Sequence, residues 1–226
     1  MALTRDDLSA RIEHANLAPG ATRAAIERLC DEAREHGFAA VCVQPVHVAI
    51  AVASLHGTRT LVCAVAGFPS GAHEPAIKAS EAARCAGEGA GAIDMVANSG
   101  WLLDGDVPAY ADDICTVRRA IGDNIVLKVI IEAPLLGPAG VATAARLAVE
   151  SGADYIKTST GVYAPARVED VSLLRSIIPQ RIKIKAAGGI RTAAFAMELI
   201  AAGADRIGTS ASLAIIREMN ATDAEL

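Results

Sequence analysis

Ser151-Gly152-Ala153-Asp154-Tyr155-Ile156 and Ala202-Gly203-Ala204-Asp205-Arg206-Ile207 are two copies of one phrase. In each, a glycine ends a helical stretch and the following residues enter an apolar run, as a helix hands over to a strand. Glu88-Gly89-Ala90-Gly91-Ala92-Ile93 is a weaker third copy. The rest of the chain keeps the same beat. Short apolar runs near 12–17, 38–43, 61–66, 92–96, 125–131, 154–158, 182–186 and 205–208 alternate with Ala-rich amphipathic stretches. Their spacing, roughly 23–33 residues, suits βα units. No Ser/Gly/Pro-rich linker interrupts them. Eight units predict one α/β domain over residues 1–226, closed as a single (β/α)8 barrel (TIM barrel), with a doubly wound open sheet as the alternative. Thr4 with Asp7 predicts a capped short N-terminal helix, Pro75 opens a helix running to about Gly87, and a short tail closes the chain.

The 226 residues are 52% apolar but only 3% aromatic, so the core must be built from Ala, Val, Ile and Leu. That mix suits buried parallel strands under Ala-rich helices. A net charge of −5 makes no electrostatic case for nucleic acid. No apolar run approaches the roughly 20 residues of a membrane span. Met1-Ala2-Leu3-Thr4-Arg5-Asp6-Asp7 is too polar for a signal peptide, so a cytoplasmic protein is expected. Cys30, Cys42, Cys63, Cys85 and Cys115 are odd in number and form no C-x-x-C, which reads as reduced thiols. The histidines show no H-x-x-H or H-E-x-x-H spacing; no metal site is expected, ligands distant in sequence aside.

The chemistry lies in lysines carried into apolar runs. Lys157 ends Asp154-Tyr155-Ile156-Lys157, and Lys185 lies in Ile184-Lys185-Ala186-Ala187-Gly188-Gly189. Burying an ammonium group is costly, and a lysine so placed can become a nucleophile. Strand side chains alternate. If Ile93, Met95, Leu127, Val129, Ile156 and Ile184 face helices, then Asp94, Lys128, Lys157 and Lys185 converge inside the barrel: one carboxylate and three amines. Like charges at that range lower one another's pKa. Taken singly, such an Asp is as readily a structural partner, and such a Lys a rim charge reaching water. Alternation also puts Lys183 inside, one layer deeper, in a structural role at the bottom rim. Cys42 reads as a buried thiol that could face the pocket.

Gly188-Gly189-Ile190-Arg191-Thr192 follows the seventh run, and Gly208-Thr209-Ser210-Ala211-Ser212 follows the eighth. Loops at those places in such barrels often hold phosphate on backbone amides, where glycine permits close approach. Ordinary βα turns are the other reading. Gly188, Gly189, Gly208, Thr209 and Ser210, with Thr160 and Gly161 after the sixth run, form the expected cradle. Gly87-Glu88-Gly89-Ala90-Gly91 precedes a strand, the wrong order for a dinucleotide fingerprint. There is no G-x-x-x-x-G-K-[ST] or G-x-S-x-G.

Ala40-Val41-Cys42-Val43-Gln44-Pro45, Gly67-Phe68-Pro69-Ser70-Gly71, Ile93-Asp94-Met95-Val96-Ala97-Asn98, Leu127-Lys128-Val129-Ile130-Ile131-Glu132, Lys157-Thr158-Ser159-Thr160-Gly161, Lys185-Ala186-Ala187-Gly188-Gly189-Ile190-Arg191-Thr192 and Arg206-Ile207-Gly208-Thr209-Ser210 occur in order. Together they resemble the class I, Schiff-base deoxyribose-phosphate aldolase family, from about Ile12 to Ile216. The resemblance implies a lyase of deoxyribonucleotide catabolism. It would cleave 2-deoxy-D-ribose 5-phosphate reversibly to D-glyceraldehyde 3-phosphate and acetaldehyde. It also implies no cofactor and a homo-oligomer, dimer or tetramer. Lys157 matches the Schiff-base lysine, Asp94 the acid/base carboxylate, Lys185 the second lysine that lowers the nucleophile's pKa, and Lys128 a supporting lysine. The chain departs from the family at Ala15, Ala18, Ala97, Ser99, Ala133, Pro134, Ala187 and Ala211, and over Val162-Tyr163-Ala164-Pro165-Ala166. A related Schiff-base aldolase with another aldehyde or sugar phosphate is therefore the alternative, and a non-catalytic phosphometabolite-binding barrel a third.

Overall fold

In the computed structural model, which describes residues 3–223, eight parallel strands close into a barrel in chain order. They are β1 (Ile12–Asn16), β2 (Ala40–Val43), β3 (Leu61–Ala66), β4 (Ala92–Val96), β5 (Val126–Ile130), β6 (Tyr155–Lys157), β7 (Lys183–Ala187) and β8 (Arg206–Thr209). Around them lie α1 (Arg5–Ser9), α2 (Arg23–His36), α3 (Val48–Ser54), α4 (Pro75–Gly87) and α5 (Ser99–Leu103). The ring continues with α6 (Val107–Ile121), α7 (Ala133–Glu150), α8 (Val168–Ile177), α9 (Ala193–Ala201) and α10 (Ser212–Asp223). β1 bonds to both β2 and β8, so the sheet is the expected (β/α)8 barrel and not an open one. The expected C-terminal tail lies outside the described residues.

The repeated Gly-Ala-Asp phrase has a structural reason. Asp154 accepts the Leu127 amide at 2.8 Å with its side chain and donates its own amide to the Leu127 carbonyl at 2.9 Å. Asp205 does the same to Ile184, at 2.8 Å both ways. Each aspartate thus satisfies backbone groups where the neighbouring strand begins. The glycines take φ +94° and +116°. A Cβ there would lie 3.1 Å from Arg118 Cγ at Gly152 and 2.7 Å from Arg175 Cγ at Gly203. Each arginine crosses over its glycine towards the aspartate: Arg118 Nη2 reaches Asp154 at 2.6 Å, Arg175 Nη1 approaches Asp205 at 3.7 Å. In the weaker copy Gly91 replaces the aspartate, and only the backbone bond to the Val62 carbonyl, 2.9 Å, remains.

Local signals place the helices. Thr4 and Asp7 form a reciprocal capping box, and Pro75 is the first residue of α4. β2 starts two residues later than the apolar run. Gly37 takes φ +66°, and the Phe38 amide turns back to the Ala33 carbonyl at 2.9 Å to cap α2.

Two cores result. Ile93, Met95, Leu127, Val129, Ile156 and Ile184 lie in the outer one, between strands and helices, each fully buried. Burying such a side chain stabilises by about 1.5–3 kcal/mol. Inside the barrel the apolar cluster is small: Cys42, Cys63, Val65 and Ala92. Polar groups fill the remainder.

A buried ion pair braces the top of the barrel beside β3 and β4. Lys78 and Asp113, both inaccessible, approach at 2.5 Å between α4 and α6. Lys78 also donates to the carbonyls of Gly71 (2.8 Å) and Val96 (3.0 Å), while Asp113 accepts the Asn98 amide at 3.2 Å. Gly67, at φ +64°, must lack a Cβ because Lys78 Cδ would lie 2.5 Å from it. Burial pulls Lys78 below its ordinary range and pushes Asp113 above, against their mutual attraction.

Candidate active site

The inner face of the barrel carries the titratable groups. Asp94 and Lys128 are register partners on β4 and β5, and Lys157 and Lys185 on β6 and β7. Asp94 is completely buried. Its Oδ2 accepts from Lys157 Nζ at 2.8 Å and Lys185 Nζ at 2.6 Å, its Oδ1 from Lys128 Nζ at 3.0 Å. Alternation along the strands thus brings all four groups to one point.

The expected ratio of one carboxylate to three amines needs correction. Glu13 on β1 is a second buried carboxylate, 2.5 Å from Lys185 Nζ and 3.4 Å from Lys128 Nζ. Its neighbour His14 faces outward, to Glu32 and Ser212, each at 2.8 Å. Period-2 reading of β1 would have found Glu13, since it shares a face with the inward Ala15 two residues on. Three lysine Nζ atoms therefore meet two carboxylates.

The charges set one another. Burial alone would raise the Asp94 carboxyl, but Lys128, Lys157 and Lys185 hold it well below the usual range. Glu13 is likewise lowered, Lys128 and Lys185 outweighing burial. Burial would lower Lys185, but Asp94 and Glu13 raise it well above its ordinary value. Lys128 is also raised, burial being outweighed chiefly by Asp94. The sequence argument that crowded lysines discharge one another therefore fails for Lys185: two carboxylates, not one, contact it.

Cys42 and Cys63 complete the ring. Cys63 Sγ is 3.0 Å from Asp94 Oδ1, and Cys42 Sγ 3.9 Å from Oδ2. Burial, with the Cys42 contact, raises the Cys63 thiol, whereas Cys63's hydrogen bond lowers Cys42. These two thiols and Asp94 bring ligand atoms within 4.8 Å of one another. The set is a poor cation site, because Asp94 is occupied by ammonium groups and Lys128 Nζ lies 3.3 Å from Cys63 Sγ. Lys183 sits at the start of β7, over the same Tyr155 ring as Lys128, as expected for the bottom rim. It is exposed, its Nζ 5.7 Å from the Tyr155 ring centroid, outside the cluster.

Above the cluster opens a cavity of about 650 Å³. Lys157, Lys185 and Cys42 line it, as do Gly161, Gly188, Gly189, Gly208, Thr160, Thr209 and Ser210. The seven loop residues differ in what they have free. The amides of Gly161, Gly189 and Ser210 have no acceptor among the described residues. Thr160 spends its amide on Glu132 and its hydroxyl on the Val162 amide. The Thr209 hydroxyl donates to the Ile190 carbonyl at 2.6 Å and accepts the Ala211 amide at 2.9 Å. Gly188 packs on Gly161, where a Cβ on Gly161 would stand 2.7 Å from Gly188 Cα. At Gly208 a Cβ would stand 2.8 Å from Lys185 Cε, so this glycine makes room for the lysine. Arg28 and Arg191 also face the cavity. Of the family departures, Ala15, Ala18 and Ala187 line it, while Ala97 and Ala133 belong to the outer core.

The DeoC/LacD family aldolase model matches residues 7–218. The deoxyribose-phosphate aldolase of Rhodospirillum rubrum is 47% identical, covering 95% of this chain and 90% of that one. That of a Cyanothece strain is 42% identical, covering 97% and 95%. A tetrameric deoxyribose phosphate aldolase structure from Aeropyrum pernix superposes with a TM-score of 0.90 at 31% identity, covering 97% and 93%. The buried Asp94 and lysine cluster, the open barrel mouth and these likenesses converge: the chain belongs to the DeoC/LacD aldolase family, among the deoxyribose-phosphate aldolases.

Proposed function

We propose that the protein cleaves 2-deoxy-D-ribose 5-phosphate reversibly to D-glyceraldehyde 3-phosphate and acetaldehyde through a Schiff base on Lys157. The observation that carries this is Lys157 Nζ on the cavity floor, 2.8 Å from an Asp94 oxygen that Lys185 also contacts at 2.6 Å. The Lys157 amine adds to C1 of the open-chain sugar, and loss of water gives an iminium. A base takes the C3 hydroxyl proton, the C2–C3 bond breaks, and its electron pair enters the iminium as an enamine. Glyceraldehyde 3-phosphate leaves; protonation of the enamine carbon and hydrolysis release acetaldehyde and the free amine. Asp94, ionised throughout neutral pH, accepts from Lys157 and Lys185 through one oxygen and so links them for proton transfer through a water. Lys185, held protonated, supplies positive charge beside the reacting atoms; Lys128 and Glu13 keep it and Asp94 in place. Gly161, Gly189 and Ser210 amides hold the phosphate.

Treating the protein with acetaldehyde and borohydride is expected to leave an ethyl group on Lys157, seen by peptide mass mapping. An unmodified Lys157 beside a modified control aldolase would sink the assignment. Gly208→Ala is expected to push Lys185 aside and lower kcat by about 10–100-fold, the scale of an ångström-sized misplacement. Stability by urea titration should fall by about 1–3 kcal/mol, since Lys185 is pinned between Glu13 and Asp94 and Ala187 Cβ would also stand 3.0 Å from the added Cβ. Wild-type kcat in Gly208→Ala would remove Lys185's position from the mechanism.

Alanines 15, 18 and 187 on the cavity wall favour a second reading, the same chemistry on another aldehyde or sugar phosphate. A panel of acceptor aldehydes decides it; a strong preference for glyceraldehyde 3-phosphate ends it. We also infer one barrel domain over residues 1–226, a homo-oligomer, for which the tetrameric Aeropyrum pernix relative is the support, and a cytoplasmic home, for which five free cysteines argue.

A further inference from the structure

Glu132 is the one non-glycine residue among those described with positive φ, at +51°. A side chain is disfavoured there, and the conformation persists only where the surroundings enforce it. The turn takes the chain from β5 into α7, and the Glu132 carboxylate meets the loop after β6. It is 2% exposed and receives the Thr160 amide at 3.2 Å on each oxygen. It makes no ion pair among the described residues. The residues on either side grip the same segment: the Ile131 amide donates to the Lys157 carbonyl at 3.1 Å, and the Ala133 amide to the Thr158 carbonyl at 2.8 Å. Residues 131–133 thus hold 157–160 from one side. On the other side of Thr160, Gly161 takes φ +79° and packs on Gly188 without room for a Cβ. Keeping this carboxylate buried is costly: burial pushes its carboxyl above the ordinary range, against the Thr160 hydrogen bonds and the charge of Lys157. A carboxylate spent on a single amide has its use in fixing where that amide's neighbour points.

We propose that Glu132 is a positioning residue for the phosphate end of the cavity: by holding Thr160 it aligns the Gly161 amide with those of Gly189 and Ser210 as one anion cradle. The inference rests on the aldolase reading above. A carboxylate suits the task because it offers acceptors only, and its hydrogen bond to the amide is charge-assisted. A glutamine keeps one acceptor, an alanine none.

The test compares wild type, Glu132→Gln and Glu132→Ala with deoxyribose 5-phosphate, with unphosphorylated 2-deoxyribose, and with inorganic phosphate by calorimetry. In Glu132→Ala, KM for the phosphosugar and the phosphate dissociation constant should each rise about tenfold or more, the mark of lost binding. The kcat for the phosphosugar should fall less than about threefold, and kcat/KM for 2-deoxyribose should stay within about twofold. Glu132→Gln should lie between wild type and Glu132→Ala, because it retains one charge-free acceptor. Equal losses on both sugars, or unchanged phosphate affinity in Glu132→Ala, overturn the proposal. If Glu132→Ala does not fold, Glu132→Gln decides: a rise of about threefold in the phosphate dissociation constant supports it, and no rise overturns it. A wild type that cleaves neither sugar defeats the aldolase reading, while the phosphate titration still judges Glu132.

Discussion

Lys157→Ala is expected to lower kcat/KM for deoxyribose 5-phosphate cleavage by about 10⁴-fold or more, the scale on which loss of a covalent nucleophile acts. A coupled assay for glyceraldehyde 3-phosphate measures it. No neighbour can take over: Lys185 is bound between Glu13 and Asp94 and held protonated, and Lys128 lies below, against Cys63 and the Tyr155 ring. The fold should survive, because Lys128 and Lys185 still pair Asp94 and Glu13 once the Lys157 side chain is gone. Thermal stability is therefore expected to stay close to wild type. Asp94→Asn should differ in kind. It removes a proton-transfer group, worth about 10²–10⁴-fold. It also leaves the buried Lys128 and Lys185 ammonium groups with Glu13 alone, on the order of 3–5 kcal/mol of lost stability. Comparable stability losses in the two variants would contradict the pairing of Asp94 with Lys128 and Lys185. Residual cleavage near wild type in Lys157→Ala would remove the Schiff base from this residue.

Much of this was legible in the sequence, for physical reasons. Period-2 alternation is rigid in buried strands, so Asp94, Lys128, Lys157 and Lys185 could be put on one face from their apolar neighbours. The Gly-Ala-Asp phrase was legible because its glycines and aspartates act locally, at the start of a strand. Its arginines were not, since Arg118 and Arg175 approach from helices more than thirty and about thirty residues away in order. Glu13 on β1 was not among the residues that the pattern was used to place inside, and it is one of the two carboxylates that hold Lys185 as a cation. Glu132 lies past the end of β5, where the left-handed turn at φ +51° takes it out of the strand's alternation, so its part at the site is not readable from period 2. Among the loops, glycine composition pointed to the cradle. Only hydrogen-bond bookkeeping separates the free amides of Gly161, Gly189 and Ser210 from the engaged groups of Thr160 and Thr209. Lys78 gave no signal, because a lysine in an amphipathic helix reads as solvent-facing until tertiary packing seals it.

That sealed lysine carries an expected effect on stability as large as that of Asp94. Lys78→Met is expected to destabilise the protein by about 3–5 kcal/mol, because it leaves a buried carboxylate unpaired. All three Lys78 donors have acceptors, at 2.5, 2.8 and 3.0 Å, and the carbonyls of Gly71 and Val96 lose theirs as well. Methionine fills most of the volume, so the loss reports charge and hydrogen bonds more than a cavity. The double variant Lys78→Met with Asp113→Leu removes both charges and should recover part of the loss, by about 1–3 kcal/mol, in urea titrations. Recovery should be incomplete, since the Asn98 amide loses its Asp113 acceptor. The damage should also reach the site. Lys78 ties the loop at Gly71, and Phe68 of that loop lines the cavity, so KM should rise more than kcat falls. A Lys78→Met protein within about 1 kcal/mol of wild type would mean that Asp113 sheds its charge readily, consistent with burial pushing its pKa upward, and that the pair braces the barrel mouth as a neutral contact.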